Sequence, residues 1–422
     1  MAVRFSSVSA AEILDSRGRP TVWVQALLSG GQTVEAGVPS GASTGSREAV
    51  ELRDGTSRYH GLGVQQAADN VNGPIAEALT GRTWSSLLEV DTAMRELDGT
   101  PNKSRLGANA IVGVSMAAAR GFAVEAGQPL WHWLTPGGVT PRLPVPHFNV
   151  INGGVHAPNS LDFQEFMIAP LGAPSLAEAI RAGAEVYAEL RNELARRGFA
   201  TGLGDEGGFA PDISRPEDVL DLLRRAITDS GYQVGPEGVA IALDPAASEF
   251  YRDGRYQVGG ESLSSQDMVD RFTAIVEEFP VWSIEDGMAE TDTWGWAALT
   301  DALGDRIQLV GDDNFVTDPD LIAAAVGDHI ANAALIKVNQ VGTVSETLAA
   351  LQVCRDSGYG AMISHRSGET TDPFIADLAV GSGCGQIKSG APARGERVVK
   401  YNRLLEIARS APSQPFGLPT HL

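Results

Sequence analysis

The 422-residue sequence predicts a parallel α/β barrel preceded by a smaller α+β domain. Three observations predict it. Short apolar runs recur through the C-terminal half, too short for helices and bounded by turn residues, which suits strands buried on both faces. Each run ends in an ionisable residue. The segments between runs are long enough for helices, and βα alternation builds a barrel whose active site lies at the C-terminal ends of its strands.

The runs are Val239 to Leu243 before Asp244, Val281 to Ile284 before Glu285 and Asp286, and Ile307 to Gly311 before Asp312 and Asp313. Then come Ala333 to Ile336 before Lys337, Ala361 to Ser364 before His365, Arg366 and Ser367, and Gly385 to Ile387 before Lys388. A charge at the mouth of a buried strand must be paired or perturbed. One such ending reads as a side chain reaching water; a succession of them reads as a site.

The N-terminal part opens as a meander: Val3 to Ser9, Thr21 to Leu28 and Thr33 to Val38, with Gly30-Gly31 turning the last pair. The small residues Pro39-Ser40-Gly41-Ala42-Ser43-Thr44-Gly45 cannot pack a core and read either as a connector or as a lid over a ligand. From about 64 to 127 the pattern is helical, and the small residues of 106–120 suit close helix packing. A sheet followed by helices is an α+β domain. The proline-rich segment 135–146 reads as the linker, dividing the chain into 1–138 and 139–422.

Beyond it, Phe148 to Asn159 reads as a strand running into a glycine loop, and Phe163 to Ile168 as a strand interrupted by Glu165. Ser175 with Glu178 forms a capping-box signature for a helix closing at Gly198. After it, Asp205 and Glu206 sit among four glycines in 202–208.

The chain carries 53 acids against 32 bases, a net charge of −21. That field repels nucleic acid and anionic membrane, so an anionic substrate needs a local cluster of Lys and Arg or a metal ion. Cys354 and Cys384 are the only cysteines, which excludes a disulfide framework and suits a reducing cytosol. The opening residues lack the apolar core of a signal peptide and no run reaches the length of a membrane span, so a cytoplasmic protein is expected.

Asp244, Glu285 and Asp312 fall on successive strand ends, and hard oxygen ligands without His or Cys suit Mg²⁺. Beside Mg²⁺ and a second cation, the pKa of Lys337 or Lys388 is expected to fall toward the range of a general base. Arg366 with Ser367 beside it offers donors that fit a phosphate. Together they suggest removal of a proton next to a carboxylate, with metal charge stabilising the enediolate.

Ten segments in order then carry a resemblance: Leu14-Asp15-Ser16-Arg17-Gly18, Ser40 to Gly45, Asn152-Gly153-Gly154 with His156-Ala157, Gln164 to Ile168, Gly204 to Gly208, Ser283 to Gly287, Gly311-Asp312-Asp313, Lys337 to Gln340, Ser364 to Thr370, and Gln386-Ile387-Lys388. The chain resembles enolase nearly end to end. The resemblance implies reversible dehydration of 2-phosphoglycerate to phosphoenolpyruvate in glycolysis, with two Mg²⁺ ions. It implies Asp244, Glu285 and Asp312 as ligands of the first ion, Ser43 with the second, Lys337 as the base at C2, and Glu206 as the acid at the C3 hydroxyl. Glu165 would assist Glu206 by sharing a proton that raises one pKa of the pair. Arg366 and Ser367 would take phosphate, Lys388 the carboxylate and Gln164 the substrate, while His156 and His365 line the site. The implied fold is a barrel of ββαα(βα)₆ form behind the α+β domain, in a homodimer or an assembly of dimers. Enolase-superfamily sites pair a Lys or His base with one or two Mg²⁺ ions.

Arg19, Trp23, Pro158 and the short Gly259 to Ser262 region depart from the common enolase pattern. They leave open a specialised paralogue that performs the same elimination on a phosphonate or other analogue of 2-phosphoglycerate. Acid-sugar dehydratases and racemases of the superfamily carry a Lys-x-Lys motif early in the barrel, where this chain has Gln164-Glu165-Phe166. A scaffold that lost catalysis fits poorly with so many ionisable residues retained.

Overall fold

The computed structural model describes residues 2–42 and 45–419. Antiparallel strands β1 (Val3–Leu14), β2 (Pro20–Leu28) and β3 (Thr33–Gly37) form a sheet in the order β3-β2-β1, with β4 (Thr83–Trp84) on the outer edge of β1. β1 runs past the expected Ser9 because Ala10 to Leu14 pair with Val24 back to Pro20. Helices α1 (Gln65–Asn70), α2 (Ala76–Leu79), α3 (Leu87–Asp98), α4 (Ala108–Glu125) and α5 (Leu130–Trp133) follow or interleave. The buried α4 lies on the sheet so closely that a Cβ at Gly113 would come 2.7 Å from Val24 and 2.9 Å from Val38. That is the packing its small residues permit.

The second part is a closed eight-stranded barrel. It starts with β5 (Val145–Asn152) and β6 (Glu165–Ala169), passes through α6 (Leu176–Arg196) and α7 (Pro216–Asp229), and returns as β7 (Ala240–Asp244). A small antiparallel sheet, β8 (Tyr251–Arg252), β9 (Arg255–Val258) and β10 (Glu261–Leu263), stands apart from the barrel before α8 (Ser265–Glu278). Then alternate β11 (Val281–Glu285), α9 (Thr293–Leu303), β12 (Gln308–Gly311), α10 (Pro319–Gly327) and β13 (Ala333–Ile336). The single turn α11 (Val338–Val341) leads to α12 (Val344–Ser357), β14 (Gly360–Ser364), α13 (Phe374–Ser382), β15 (Gln386–Lys388) and α14 (Gly395–Ser410). β6 is antiparallel to β5 and β7, and the remaining neighbours are parallel. The order is therefore ββαα followed by six βα units. Most strand residues are buried, because helices cover the barrel outside and side chains fill it inside. Among the described residues no helix is long and apolar enough to cross a membrane.

Two local expectations change. Glu165 opens β6 rather than interrupting it, pairing with Asn152 on one side and Asp244 on the other. Ser175 does cap α6 by accepting the Glu178 N–H at 3.3 Å, but the Glu178 carboxylate turns to Arg181 at 3.1 Å. The reciprocal box forms instead at Ser264 and Asp267, ahead of α8.

The N-terminal part grips the barrel at the start of α12. Ser115 Oγ accepts the Val344 N–H at 2.9 Å, Asp91 accepts the Ser345 N–H at 3.0 Å, and Lys103 pairs with Glu346 at 3.1 Å. Ser115 and Asp91 satisfy backbone donors that a helix start leaves open, and Lys103 adds an ion pair. The chain at 45–49 lies over the barrel mouth, where the Ala49 N–H bonds the Gln340 carbonyl at 2.8 Å.

Candidate active site

β7, β11, β12, β13, β14 and β15 deliver Asp244, Glu285, Asp312, Lys337, His365 and Lys388 to one end of the barrel because all six run the same way. His156, Gln164, Glu165, Glu206, Asp244, Lys337, His365, Arg366, Ser367 and Lys388 surround a single cavity. Glu285 and Asp312 stand behind the two lysines, while Ser43 lies outside the described residues. The free space is about 10 Å³, roughly room for one water. A larger guest must separate these side chains.

The lysines fill the space by folding onto the acids. Lys388 Nζ lies 2.8 Å from both oxygens of Glu285, 3.3 Å from Asp244 and 3.2 Å from Glu165. Burial opposes its charge, but these carboxylates outweigh burial and hold Lys388 well above the ordinary lysine range. Lys337 Nζ bonds Asp312 Oδ2, and Gln340 donates to Asp312 Oδ1 at 2.8 Å. Burial alone would lower Lys337, yet the Asp312 carboxylate prevails and raises it. The depression expected from the sequence belongs to a site in which Mg²⁺ stands beside the amine; here the nearest charge to Lys337 is the Asp312 anion. Backbone strain helps to place Lys337. Thr317 adopts φ +59°, accepts the Lys337 N–H at 2.9 Å and donates to Gln340 at 2.6 Å.

The acids are too many for the cations beside them. Burial and Asp244 push Glu285 well above the usual carboxylate range, while burial and Asp313 do the same to Asp286. Asp313 is pushed up to about 8 by burial and Asp312. Among the described residues, ligand atoms of Asp286, Asp312 and Asp313 lie within 4.8 Å of one another, as do those of His156, Glu165 and Glu206. Asp244, Glu285 and Asp312 are spread around Lys388 and Lys337. Their donor set is buried and all oxygen, with like charges that repel, so it fits a hard divalent cation.

Glu206 and Glu165 hold their shared proton unequally, and the pKa of one of the pair is raised as expected. Burial and the Glu206 carboxylate hold Glu165 well above the usual range. Glu206 is equally buried, but His365, His156 and Arg397 outweigh that cost and hold it well below. His365 Nε2 stands 3.1 Å from Glu206 Oε2, and His156 Nδ1 stands 3.7 Å from both Glu206 and Glu165. Both ring nitrogens of His156, and Oε1 of Gln164, are buried with no partner among the described residues, so they remain available to a guest.

Several residues at the site were given no role by the sequence. Glu48 meets both η nitrogens of Arg366 at 3.0 Å and accepts from Gln340 at 3.3 Å. Asn149 donates to Glu206 Oε2 at 2.9 Å. Arg397, on α14, reaches His365 and the carbonyls of Arg366 and Ser367. Gln340 follows Lys337 by three positions in the run Lys337 to Gln340; Glu48 and Arg397 gave no local signal.

Two family models match. Residues 5–134 match "Enolase, N-terminal domain" and residues 140–414 match "Enolase, C-terminal TIM barrel domain". A curated protein named Enolase from Rubrobacter xylanophilus is 54% identical over 407 residues, covering 96% of this chain and 94% of the relative.

Proposed function

The chain belongs to the enolase family, and from that premise we propose that it interconverts 2-phosphoglycerate and phosphoenolpyruvate by base abstraction at C2 and acid-assisted loss of the C3 hydroxyl. The enzyme is a phosphopyruvate hydratase acting on a small molecule. The observation that carries the residue roles is the convergence of Lys337, Glu206, Arg366 and Lys388 on one buried cavity.

Lys337 takes the C2 proton as its neutral amine, which forms when the ammonium turns from Asp312 and releases its own proton to solvent, a loss that the Arg366 and Lys388 charges favour. Arg366 and Ser367 bind the phosphate. Lys388 turns from its carboxylates to the substrate carboxylate. Gln164, through its buried Oε1, and His156, through ring nitrogens that lack a hydrogen-bond partner among the described residues, bind substrate and enclose it. Glu206 delivers the proton that releases the C3 hydroxyl as water, and Glu165, which keeps a proton most readily, resupplies it. Asp244, Glu285 and Asp312 would hold one Mg²⁺, with Ser43 contributing to a second. Bound Mg²⁺ supplies positive charge beside the substrate carboxylate, which acidifies the C2 hydrogen. Enclosure in a nearly dry cavity strengthens each of these interactions.

Arg19, Trp23 and Pro158 do not line the cavity, so the phosphonate-analogue reading has no support at the site. We further propose a cytoplasmic homodimer, or an assembly of dimers, divided near residue 138. The test is formation of phosphoenolpyruvate from 2-phosphoglycerate, followed by ultraviolet absorbance. Wild type turns over with Mg²⁺ and falls silent with chelator. Turnover unaffected by chelator contradicts the metal assignment, and no turnover with Mg²⁺ contradicts the reaction.

A further inference from the structure

Arg397 is fully buried on α14, and its guanidinium is spent on the polypeptide that carries the site. One η nitrogen lies 2.6 Å from His365 Nδ1 and 2.6 Å from the Arg366 carbonyl. The other bonds the Ser367 carbonyl at 2.6 Å, the Asp205 carbonyl at 3.1 Å and Ser16 Oγ at 3.4 Å. A guanidinium can only donate. The Nδ1 atom it meets must therefore be the bare, accepting nitrogen of the imidazole, and the ring hydrogen must be on Nε2.

That hydrogen faces Glu206. His365 Nε2 is 3.1 Å from Glu206 Oε2, in a contact bent in this structure, and the same oxygen already accepts from Asn149 Nδ2 at 2.9 Å. Oε2 thus faces two N–H donors and has no room for a proton of its own. Oε1 faces the opposite way, toward His156 Nδ1 at 3.7 Å.

We propose that Arg397 is a positioning residue that locks His365 in the Nε2–H tautomer and so commits Glu206, a carboxylate until Glu165 supplies it, to taking up and delivering the proton at Oε1. This rests on the reading of Glu206 as the acid. In the step, the Oε1–H bond breaks and the proton joins the departing C3 hydroxyl. That group leaves as water with the C3–O electron pair, and Glu206 is left as a carboxylate with Oε2 still held. His365 is then a fixed donor and does not carry the proton. Its surroundings agree: burial, with the Arg397 charge alongside, pushes the imidazole down to about 3, so the ring is neutral at physiological pH.

The test is nitrogen NMR of the full-length protein labelled at histidine, with His365 assigned by the signal lost in His365→Asn. In wild type at neutral pH, His365 is to show an unprotonated Nδ1 and a protonated Nε2. Arg397→Lys, which keeps a donor, is to preserve that pattern. Arg397→Met is to shift it toward Nδ1–H and to lower kcat by about 10²-fold with KM little changed. A wild-type His365 protonated at Nδ1 overturns the proposal, as does an Arg397→Met variant with the wild-type tautomer. The wild-type spectrum decides even if Arg397→Met fails to fold. Because it needs no substrate, it also separates failure here from failure of the enolase reading, which appears as wild type that makes no phosphoenolpyruvate.

Discussion

Lys388 places its ammonium 2.8 Å from each carboxylate oxygen of Glu285. With Asp244 and Glu165 also within 3.3 Å, one buried cation answers three buried acids. Removing one partner of a buried ion pair leaves an uncompensated charge at a cost of about 3–5 kcal/mol. Lys388→Met is therefore expected to lower the unfolding temperature clearly, and Mg²⁺ is expected to restore more stability to the variant than it adds to wild type. Thermal unfolding with and without Mg²⁺ checks this; equal Mg²⁺ effects on the two proteins count against it.

The proposed metal site links ion binding to folding through the same acids. A ligand at a hundred times its Kd stabilises by about 2.7 kcal/mol. Wild type is expected to gain stability of that order from saturating Mg²⁺. Asp244→Asn is expected to lose most of the gain and to bind Mg²⁺ at least about tenfold more weakly, since one charged oxygen ligand is gone. Calorimetric titration reads both quantities, and unchanged affinity would remove Asp244 from the ligand set.

Asp91 sets a pH dependence far from the catalytic cavity. It is fully buried, accepts the Ser345 N–H, and is pushed from the usual aspartate value up to about 6 by burial. A carboxyl whose folded pKa is raised favours the fold while both states are protonated. That benefit is lost as pH climbs from about 4 through about 6. Asp91→Asn is therefore expected to become more stable relative to wild type by about 2–3 kcal/mol between pH 4 and pH 7. Denaturant unfolding at the two values tests it; a pH-independent difference contradicts the burial argument.

Gly204 tests how tightly Glu206 is held. A Cβ there would come 2.7 Å from the Asn152 side chain and 2.8 Å from the His156 carbonyl, so two loops would have to part. Gly204→Ala is expected to lower kcat by about 10²-fold by displacing Glu206 and His156 from their common cavity. Activity within a factor of about two of wild type, at normal stability, would show that these loops yield without cost.

The barrel was legible because its strands are buried on both faces and read as unbroken apolar runs, and because each ends in a charge that a buried strand tolerates only at its mouth. The convergence of Asp244, Glu285, Lys337, His365 and Lys388 followed from that alone. The direction of the Lys337 shift was not legible, since it depends on whether Asp312 or a metal ion stands against the amine. Nor was the division of the proton between Glu165 and Glu206, which His365, His156 and Arg397 settle from three separate elements. Glu48 and Arg397 reach the site from 318 and 32 residues away from Arg366 and His365, a distance over which local spacing carries no signal.

The proposed roles of Lys337 as base and Glu206 as acid are separated most directly by hydrogen exchange at C2 of 2-phosphoglycerate in deuterated buffer with Mg²⁺, measured alongside phosphoenolpyruvate formation. Glu206→Gln is expected to keep C2 exchange while losing dehydration by about 10³-fold, and Lys337→Ala to lose both by at least that much. C2 exchange at the wild-type rate in Lys337→Ala would contradict the account.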